Sequence, residues 1–290
     1  MTIRRLLVPV LQGYGFGAPL NAALQLTRGF TSYIDAVFIP SGSTQASAME
    51  ATISISDLVA DDDITFEDSP GEDSADEALA RAHFKEWRAA HDLASAHEDK
   101  LAGMPRATWR KSHNSIETEI VASGRLSDLI VLNRPNAHET AKQRAFDAAV
   151  FGTGRPTLFV FDEVPDDMLS HVIIAWNGSI EATRAVAASM PFLIRAARVS
   201  IFTAAGRADL LRGSLDIGDL LACHDIQAHK LHVPPDEPSV GAALLKAAAY
   251  QSATMLVMGA YSHSRVREML LDGVTLHVVR HGTLPVFMIH

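Results

Sequence analysis

The chain contains the same set of short apolar runs twice, and this repeat limits its architecture more than any other feature. Residues 5–10 (RLLVPV) correspond to 171–176 (HVIIAW), 128–133 (DLIVLN) to 254–259 (TMLVMG), and 156–161 (PTLFVF) to 285–290 (PVFMIH). Three pairs in the same order indicate two copies of one folding unit. The first two runs lie about 40 residues further apart in the first copy, which indicates an insertion at about 41–75.

The apolar runs alternate with helical patterns, which is typical of parallel strands that are buried on both faces and joined by crossover helices. We therefore predict an α/β protein with two tandem domains, 1–162 and 168–290, each a doubly wound parallel five-stranded sheet. The predicted strands are 4–10, 34–39, 106–110, 128–133 and 157–161 in the first copy, and 171–176, 198–204, 227–232, 254–259 and 285–289 in the second. Such sheets bind ligands at the carboxyl ends of the strands where the winding reverses, so the first and fourth strands should flank a crevice.

Helix signals agree with this alternation. Pro19 predicts a helix start. Ser74 and Glu77 form a capping box ahead of an Ala-rich segment that reaches about Leu101. Ser179 predicts the start of a helix that runs to about Arg195.

The charge and cysteine content limit the classes of function. The net charge of −9 argues against a general nucleic-acid binder. Nine acidic residues lie within 61–77 and predict a solvated loop, with a docking surface for a basic partner as the alternative. The single cysteine, Cys223, excludes an intramolecular disulfide and is expected to be buried and inert. We expect a cytoplasmic protein without a membrane span, because we find neither a long apolar run nor a signal peptide.

A strand, a loop of small residues and a helix start follow one another near the end of the chain. This order presents backbone N–H groups to an anion, as in a phosphate-binding loop. The segment resembles the universal stress protein family, whose nucleotide-binding members carry Gly-x2-Gly-x9-Gly-Ser/Thr after the fourth strand. Here Gly259 holds the first glycine, Ser262 replaces the second, and Asp272 replaces the third, with Gly273 at the Ser/Thr position and Thr275 two residues later.

The resemblance covers nearly the whole chain, as a tandem of two such domains. It implies an adenine-nucleotide-hydrolase-like fold with strand order 3-2-1-4-5 and pairing of the fifth strands, 157–161 and 285–289, between the copies or between chains. It also implies that ATP or another adenine nucleotide binds the second copy, with Mg²⁺ only if ATP binds. In the family an acidic residue after the first strand contacts the adenosine, and Asn177 holds that position here. The implied site comprises Ala175, Trp176, Asn177, Gly178, Ser179, Met258, Gly259, Ser262, His263, Arg265, Gly273, Val274 and Thr275.

Because Ser262 and Asp272 replace two glycines of the family pattern, the sequence does not decide which ligand the loop binds. Asp272 would place a negative charge near a triphosphate, at a cost on the order of a few kcal/mol unless Arg265 and Arg267 point inward. The alternatives are a loop that keeps its fold but binds no phosphate, and a loop that binds another small anion. In the first copy Pro135 removes an N–H donor from the corresponding loop, so we expect no triphosphate there.

Other motifs give weaker hypotheses. The spacing of Gly13, Gly15 and Gly17 differs from that of a dinucleotide fingerprint and predicts a flexible turn. His277 and His281 should share a helix face without a third metal ligand. The resemblance to the universal stress protein family implies a stress-response regulatory protein that works by binding, with a degenerate adenine-nucleotide site in the second copy as a hypothesis. The alternative is a nucleotide-free dimeric scaffold that docks a regulatory protein partner. Slow ATP hydrolysis is a third hypothesis, but the sequence marks no catalytic base for it.

Overall fold

The structure is a computed structural model that describes residues 3–28, 30, 32–41, 75–94, 106–135, 139–204, 216–231, 239–261 and 273–290. We refer to the elements through β5 as the first half and to those from β6 onward as the second half. The first half contains β1 Arg5–Leu11, α1 Gly17–Thr27, β2 Tyr33–Ile39, α2 Ala75–Ala90, β3 Arg106–Lys111, α3 Ile116–Arg125, β4 Leu129–Asn133, α4 Thr140–Gly152 and β5 Thr157–Val160. The second half contains β6 Val172–Ala175, α5 Ile180–Leu193, β7 Val199–Phe202, α6 Ile217–Ala222, β8 Ala228–Leu231, α7 Val240–Tyr250, β9 Met255–Gly259, α8 Val274–His281 and β10 Val286–Ile289.

All ten strands belong to one sheet, in the order β3-β2-β1-β4-β5-β10-β9-β6-β7-β8. Neighbouring strands within each half are parallel, whereas β5 and β10 are antiparallel. The predicted α/β class and the order 3-2-1-4-5 in each half are therefore confirmed. The two predicted five-stranded sheets are joined into one, because their fifth strands meet within the chain. The boundaries 1–162 and 168–290 stay a prediction.

The core lies on both faces of the sheet, which explains the continuous apolar runs. In β1, Leu6 and Val8 pack into the cluster on one face, and Leu7 packs into the cluster on the other. Strands buried on two faces need apolar side chains at successive positions rather than alternation. All ten predicted strands are found within a few residues of their predicted bounds.

The helix predictions had mixed outcomes. Ser179 caps α5 as predicted, since its Oγ accepts a hydrogen bond from the Ala182 N–H at 3.1 Å. Pro19 lies in the first turn of α1. The Ala-rich helix was predicted too long: α2 ends at Ala90, and a turn follows in which Asp92 has a φ of 52°. Ser74, and the acidic insertion except for its ends, lie outside the described residues.

Two further properties concern the surface. Cys223 is exposed at the C-terminal end of α6, so the predicted burial of this thiol was wrong. The helix there is short, and the residue that ends it faces outward rather than toward the sheet. Among the residues described above, no helix is long and apolar enough to cross a membrane.

Buried polar side chains form hydrogen bonds between neighbouring strands of the sheet in both halves. In the first half the Asp35 carboxylate, 1% exposed, accepts a hydrogen bond from Arg5 at 2.7 Å. Arg110 lies between Asp35 and Glu119 and is 2.7 Å from the latter. In the second half the His171 ring is 2.8 Å from Ser200 Oγ and 2.9 Å from the Gln251 carbonyl oxygen. Each group has partners, as buried polar groups need.

Candidate functional site

The carboxyl ends of β6 and β9 lie side by side in the second half. Ala175 of β6 is in register with Met258 of β9, and β6 pairs with β7 on its other side. The winding of the chain therefore reverses at β6, which is where open α/β sheets form ligand crevices. The described part of the candidate site comprises the ends of these two strands, the segments Trp176–Ser179 and Ala260–Tyr261 that leave them, and Gly273, Val274 and Thr275.

Asn177 shapes the turn between β6 and α5. Its Oδ1 accepts a hydrogen bond from the Ser179 N–H at 3.0 Å, and Gly178 has a φ of 73°. The Ser179 side chain then caps the helix. The amide oxygen of Asn177 is therefore used within the turn, a structural role that the sequence did not predict.

Gly259, the first glycine of the family pattern, packs against the start of α5. A Cβ atom at this position would lie 2.5 Å from the Ala182 nitrogen and 2.6 Å from the Glu181 carbonyl carbon. Backbone atoms cannot yield as a flexible side chain can, so only glycine fits here without a shift of the helix. The close contact of strand and helix thus accounts for Gly259 without any ligand.

The two ends of the predicted phosphate loop are joined directly. Tyr261, with a φ of 53°, donates its backbone N–H to the Thr275 Oγ1 at 3.2 Å. The Thr275 side chain is buried, so its hydroxyl holds the loop ends together. Ser262, His263, Arg265 and Asp272 lie between these ends, outside the described residues.

Helix α8 begins immediately after this loop, and no side chain among the described residues caps it. Its N-cap is Gly273, whereas serines cap α5 and α7 with their hydroxyl groups. The first N–H groups of a helix lack acceptors within the helix and carry the positive end of its dipole. The start of α8, at Val274 and Thr275, can therefore donate hydrogen bonds to an anion.

The structure adds three aromatic residues that the sequence interpretation missed. The Phe151 ring, on α4 of the first half, lies 5.0 Å from the Tyr261 ring and 5.2 Å from the His290 ring. His290 Nδ1 is 3.0 Å from the Ala260 carbonyl oxygen. The only sequence signal is that His290 corresponds to Phe161, since each residue directly follows the fifth strand of its half.

In the first half the crevice that corresponds to the candidate site lies between β1 and β4, and a polar cleft lies next to it at the ends of β4 and β5. The cleft has an empty volume of about 510 Å³, open solvent included, and Asn133, Arg134, Glu139 and Lys142 are among its lining residues. The Lys142 ammonium is 3.1 Å from Glu139, which balances its charge. The expectation that no triphosphate binds here stays a prediction, because 136–138 lie outside the described residues.

The weaker motifs have structural roles. Gly13 has a φ of 82° in the turn between β1 and α1. His277 and His281 share a face of α8, with ring centroids 4.7 Å apart, as predicted. His277 packs on Gly241, where an added Cβ would lie 2.7 Å from the His277 Cβ. No group of three or more metal-ligating side chains occurs in the described part of the chain.

Comparison with known proteins agrees with this geometry. Residues 205–290 match the sequence model of the universal stress protein family. This segment belongs to the universal stress protein family. It includes β9, the loop and α8, so the candidate site lies largely within the universal stress protein segment.

Solved structures extend the likeness to the whole chain. A universal stress protein from Archaeoglobus fulgidus is 16% identical, with a TM-score of 0.62, and the match covers 99% of this chain and 96% of that one. A protein of unknown function from Pseudomonas aeruginosa is 12% identical, with a TM-score of 0.56, over 99% of this chain and 92% of that one. At these identities the likeness concerns the fold. No curated protein sequence matches the chain. The universal stress protein family and fold support a function of the stress-response type.

Proposed function

We propose that this protein is a stress-response regulator that binds an adenine nucleotide, ATP or a close relative, in the crevice of its second half. It acts by binding rather than by turnover, and Mg²⁺ enters only with ATP. The observation that carries the proposal is the start of α8, which has a glycine as its N-cap and which the hydrogen bond between Tyr261 and Thr275 ties to the segment that leaves β9. A helix start without a side-chain acceptor suits a phosphate.

The parts of the site have different roles in this proposal. The Asn177–Ser179 turn lies at the end of β6 and would face the base or ribose. Main-chain N–H groups around Gly259, Ser262 and Gly273 would receive the phosphates, with His263 and Arg265 beside them. The Thr275 hydroxyl accepts a hydrogen bond from the Tyr261 N–H, so Thr275 would act through the shape of the loop.

Nucleotide analysis of the purified protein tests the proposal. Protein that is heat-denatured after purification without added ligand should release adenine nucleotide, and ATP should raise the melting temperature. The absence of released nucleotide, together with no shift at millimolar ATP, would remove the proposal.

The charge of Asp272 gives a second test. Asp272 replaces the third glycine of the family pattern and would place a negative charge near the phosphates, so Asp272→Gly should tighten ATP binding by roughly one to two decades, as measured by calorimetry. The matched control is Asp225→Gly, because Asp225 lies in the turn after α6 and has a φ of 60° that glycine accepts. Unchanged affinity in Asp272→Gly would show that its charge does not limit binding.

A nucleotide-free scaffold is the second candidate, and Gly259 favours it. The space that its missing side chain leaves is filled by the start of α5, so the glycine does not itself indicate a ligand. In this case the acidic stretch would dock a regulatory partner. Deletion of 61–73 tests this while it spares Asp76 and Glu77, which bind Gln12 and Lys111. Loss of partner capture in a folded variant would support the scaffold, and unchanged capture would oppose it.

A further inference from the structure

The two halves of the chain contact each other at equivalent positions next to their crevices. Phe151 and Arg280 are both the second-last residue of their helices, α4 and α8. Phe151 contacts Tyr261, two residues after β9, whereas the carbonyl oxygen of Arg280 accepts a hydrogen bond from Arg134, one residue after β4, at 2.9 Å. Each half therefore supports the segment that follows the fourth strand of the other half.

The residues that follow the fifth strands complete both contacts. In the second half the His290 ring packs on Phe151, and its Nδ1 forms a hydrogen bond with the Ala260 carbonyl oxygen. In the first half the Arg134 guanidinium lies 4.9 Å above the Phe161 ring. The antiparallel pairing of β5 and β10 brings these groups together. The two contacts have the same arrangement but different chemistry: aromatic packing in one and a charged hydrogen bond in the other.

The aromatic contact acts on a constrained backbone. Tyr261 has a positive φ, which costs a non-glycine residue on the order of 1 kcal/mol or more unless the surroundings fix it. Several interactions fix the segment, among them the contact with the Phe151 ring, the hydrogen bonds of Ala260 with His290 and Ile289, and the hydrogen bond from Tyr261 to Thr275. Of these partners, only Phe151 belongs to the first half.

We propose that Phe151 is a positioning residue. Through Phe151 the first half holds Tyr261, and with it the joined loop ends at Tyr261 and Thr275, in the conformation that binds ligand. The effect on ligand affinity rests on the proposed function, whereas the effect on the Tyr261 backbone does not. The second half then depends on the first for its site, although the predicted ligand contacts all come from the second half.

Amide hydrogen exchange of the full chain tests the structural step. In Phe151→Ala, exchange at the Tyr261 N–H should become about tenfold faster, because its bond to Thr275 opens more often. Exchange at Val257, in the buried strand β9, should stay unchanged and so exclude global destabilisation. Phe151→Tyr should restore slow exchange because it keeps the ring. The matched control is Arg134→Ala, which removes the equivalent contact in the first half and should leave Tyr261 unaffected. Equal exchange at Tyr261 in the wild type and Phe151→Ala would overturn the proposal.

Calorimetric titration with ATP tests the consequence. Phe151→Ala should weaken binding about tenfold, with Arg134→Ala and Phe151→Tyr close to the wild type. If the wild type binds ATP and Phe151→Ala binds it equally well, Phe151 does not position the site. If the wild type binds no ATP, the proposed function fails, and the exchange at Tyr261 alone decides whether the first half holds this segment.

Discussion

At the residue scale, the buried Glu119 carboxylate has a pKa well below its ordinary value. Burial alone would raise the pKa of this side chain, but hydrogen bonds from Ser123, Ser112, Arg110 and Asn114 outweigh burial and lower the pKa from 4.5 to about 2. The Arg110 guanidinium lies 2.7 Å from the carboxylate and connects it to Asp35. The ionised Glu119 side chain thus connects α3, through Arg110, to β2 and β3 of the first half.

We expect Glu119→Gln to lower the free energy of unfolding by about 2 kcal/mol at pH 7, because it removes a charged hydrogen-bond acceptor from Arg110. A lowered pKa in the folded state gives stability that is present above about pH 4.5 and is lost as the pH falls toward 2. The difference between wild type and variant in urea unfolding should therefore shrink over that range.

Glu117→Gln is the control for this experiment. Glu117 lies on the same helix and pairs with Arg144, but both side chains are about two-fifths exposed. An exposed pair of this kind contributes on the order of 0–1 kcal/mol. A loss as large as that of Glu119→Gln, or a Glu119 effect that does not depend on pH, would contradict the assignment.

The second half uses different chemistry at the matching positions. Asp35 is in register with Leu7, and Ser200 is in register with Ile173, so the two polar residues occupy equivalent places in the sheet. Burial lowers the pKa of His171, the partner of Ser200, and favours its neutral form. An ion pair in one half is thus a neutral hydrogen bond in the other, and the halves should respond differently to acid.

At the element scale, the packing of β9 on α5 depends on Gly259. In Gly259→Ala the new Cβ would meet backbone atoms of Glu181 and Ala182, so the start of α5 must shift. We expect a loss of about 1–3 kcal/mol in the free energy of unfolding, measured by chemical denaturation without nucleotide. Gly15→Ala is the control, because no atom lies within 4 Å of the added Cβ and the φ of Gly15 suits any residue. Full stability in Gly259→Ala would show that this glycine is kept for another reason.

Most strands could be predicted from the sequence because they are continuous apolar runs, and three in each half have a partner in the other copy. The edge strands β3 (RATWRK) and β8 (AHKL) are polar, and they were predicted from the alternation of strands and helices. The end of α2 could not: Ala-rich sequence continues past Ala90, and the turn at Asp92 depends on a positive φ that no motif marks. The buried Asp35 was also missed, because its charge is compensated by Arg5 and Arg110 on other strands. Of the candidate site, the sequence indicated the crevice at β6 and β9. The contact between Phe151 and Tyr261 depends on how β5 meets β10, which local patterns do not specify.

At the scale of the whole molecule, the pairing of β5 with β10 joins ten strands into one sheet. Val286, Phe287 and Met288 of β10 are fully buried and lie opposite Phe159, Leu158 and Thr157. The Phe287 ring also packs edge-on against Phe192 of α5, 5.9 Å away. Each half covers an apolar strand edge of the other that would otherwise face water.

We therefore expect the isolated segment 168–290 to associate with itself. Without β5, the edge of β10 presents unpaired N–H and C=O groups beside apolar side chains, and such an edge pairs readily with another strand. Size-exclusion chromatography with light scattering should give at least twice the mass of one segment. The full chain is the control and should run at its single-chain mass of 31.3 kDa, because β5 and β10 already cover each other. A folded, monomeric 168–290 segment would show that the second half does not need a partner at β10, and the dependence of its site on the first half would then be limited to the contact with Phe151.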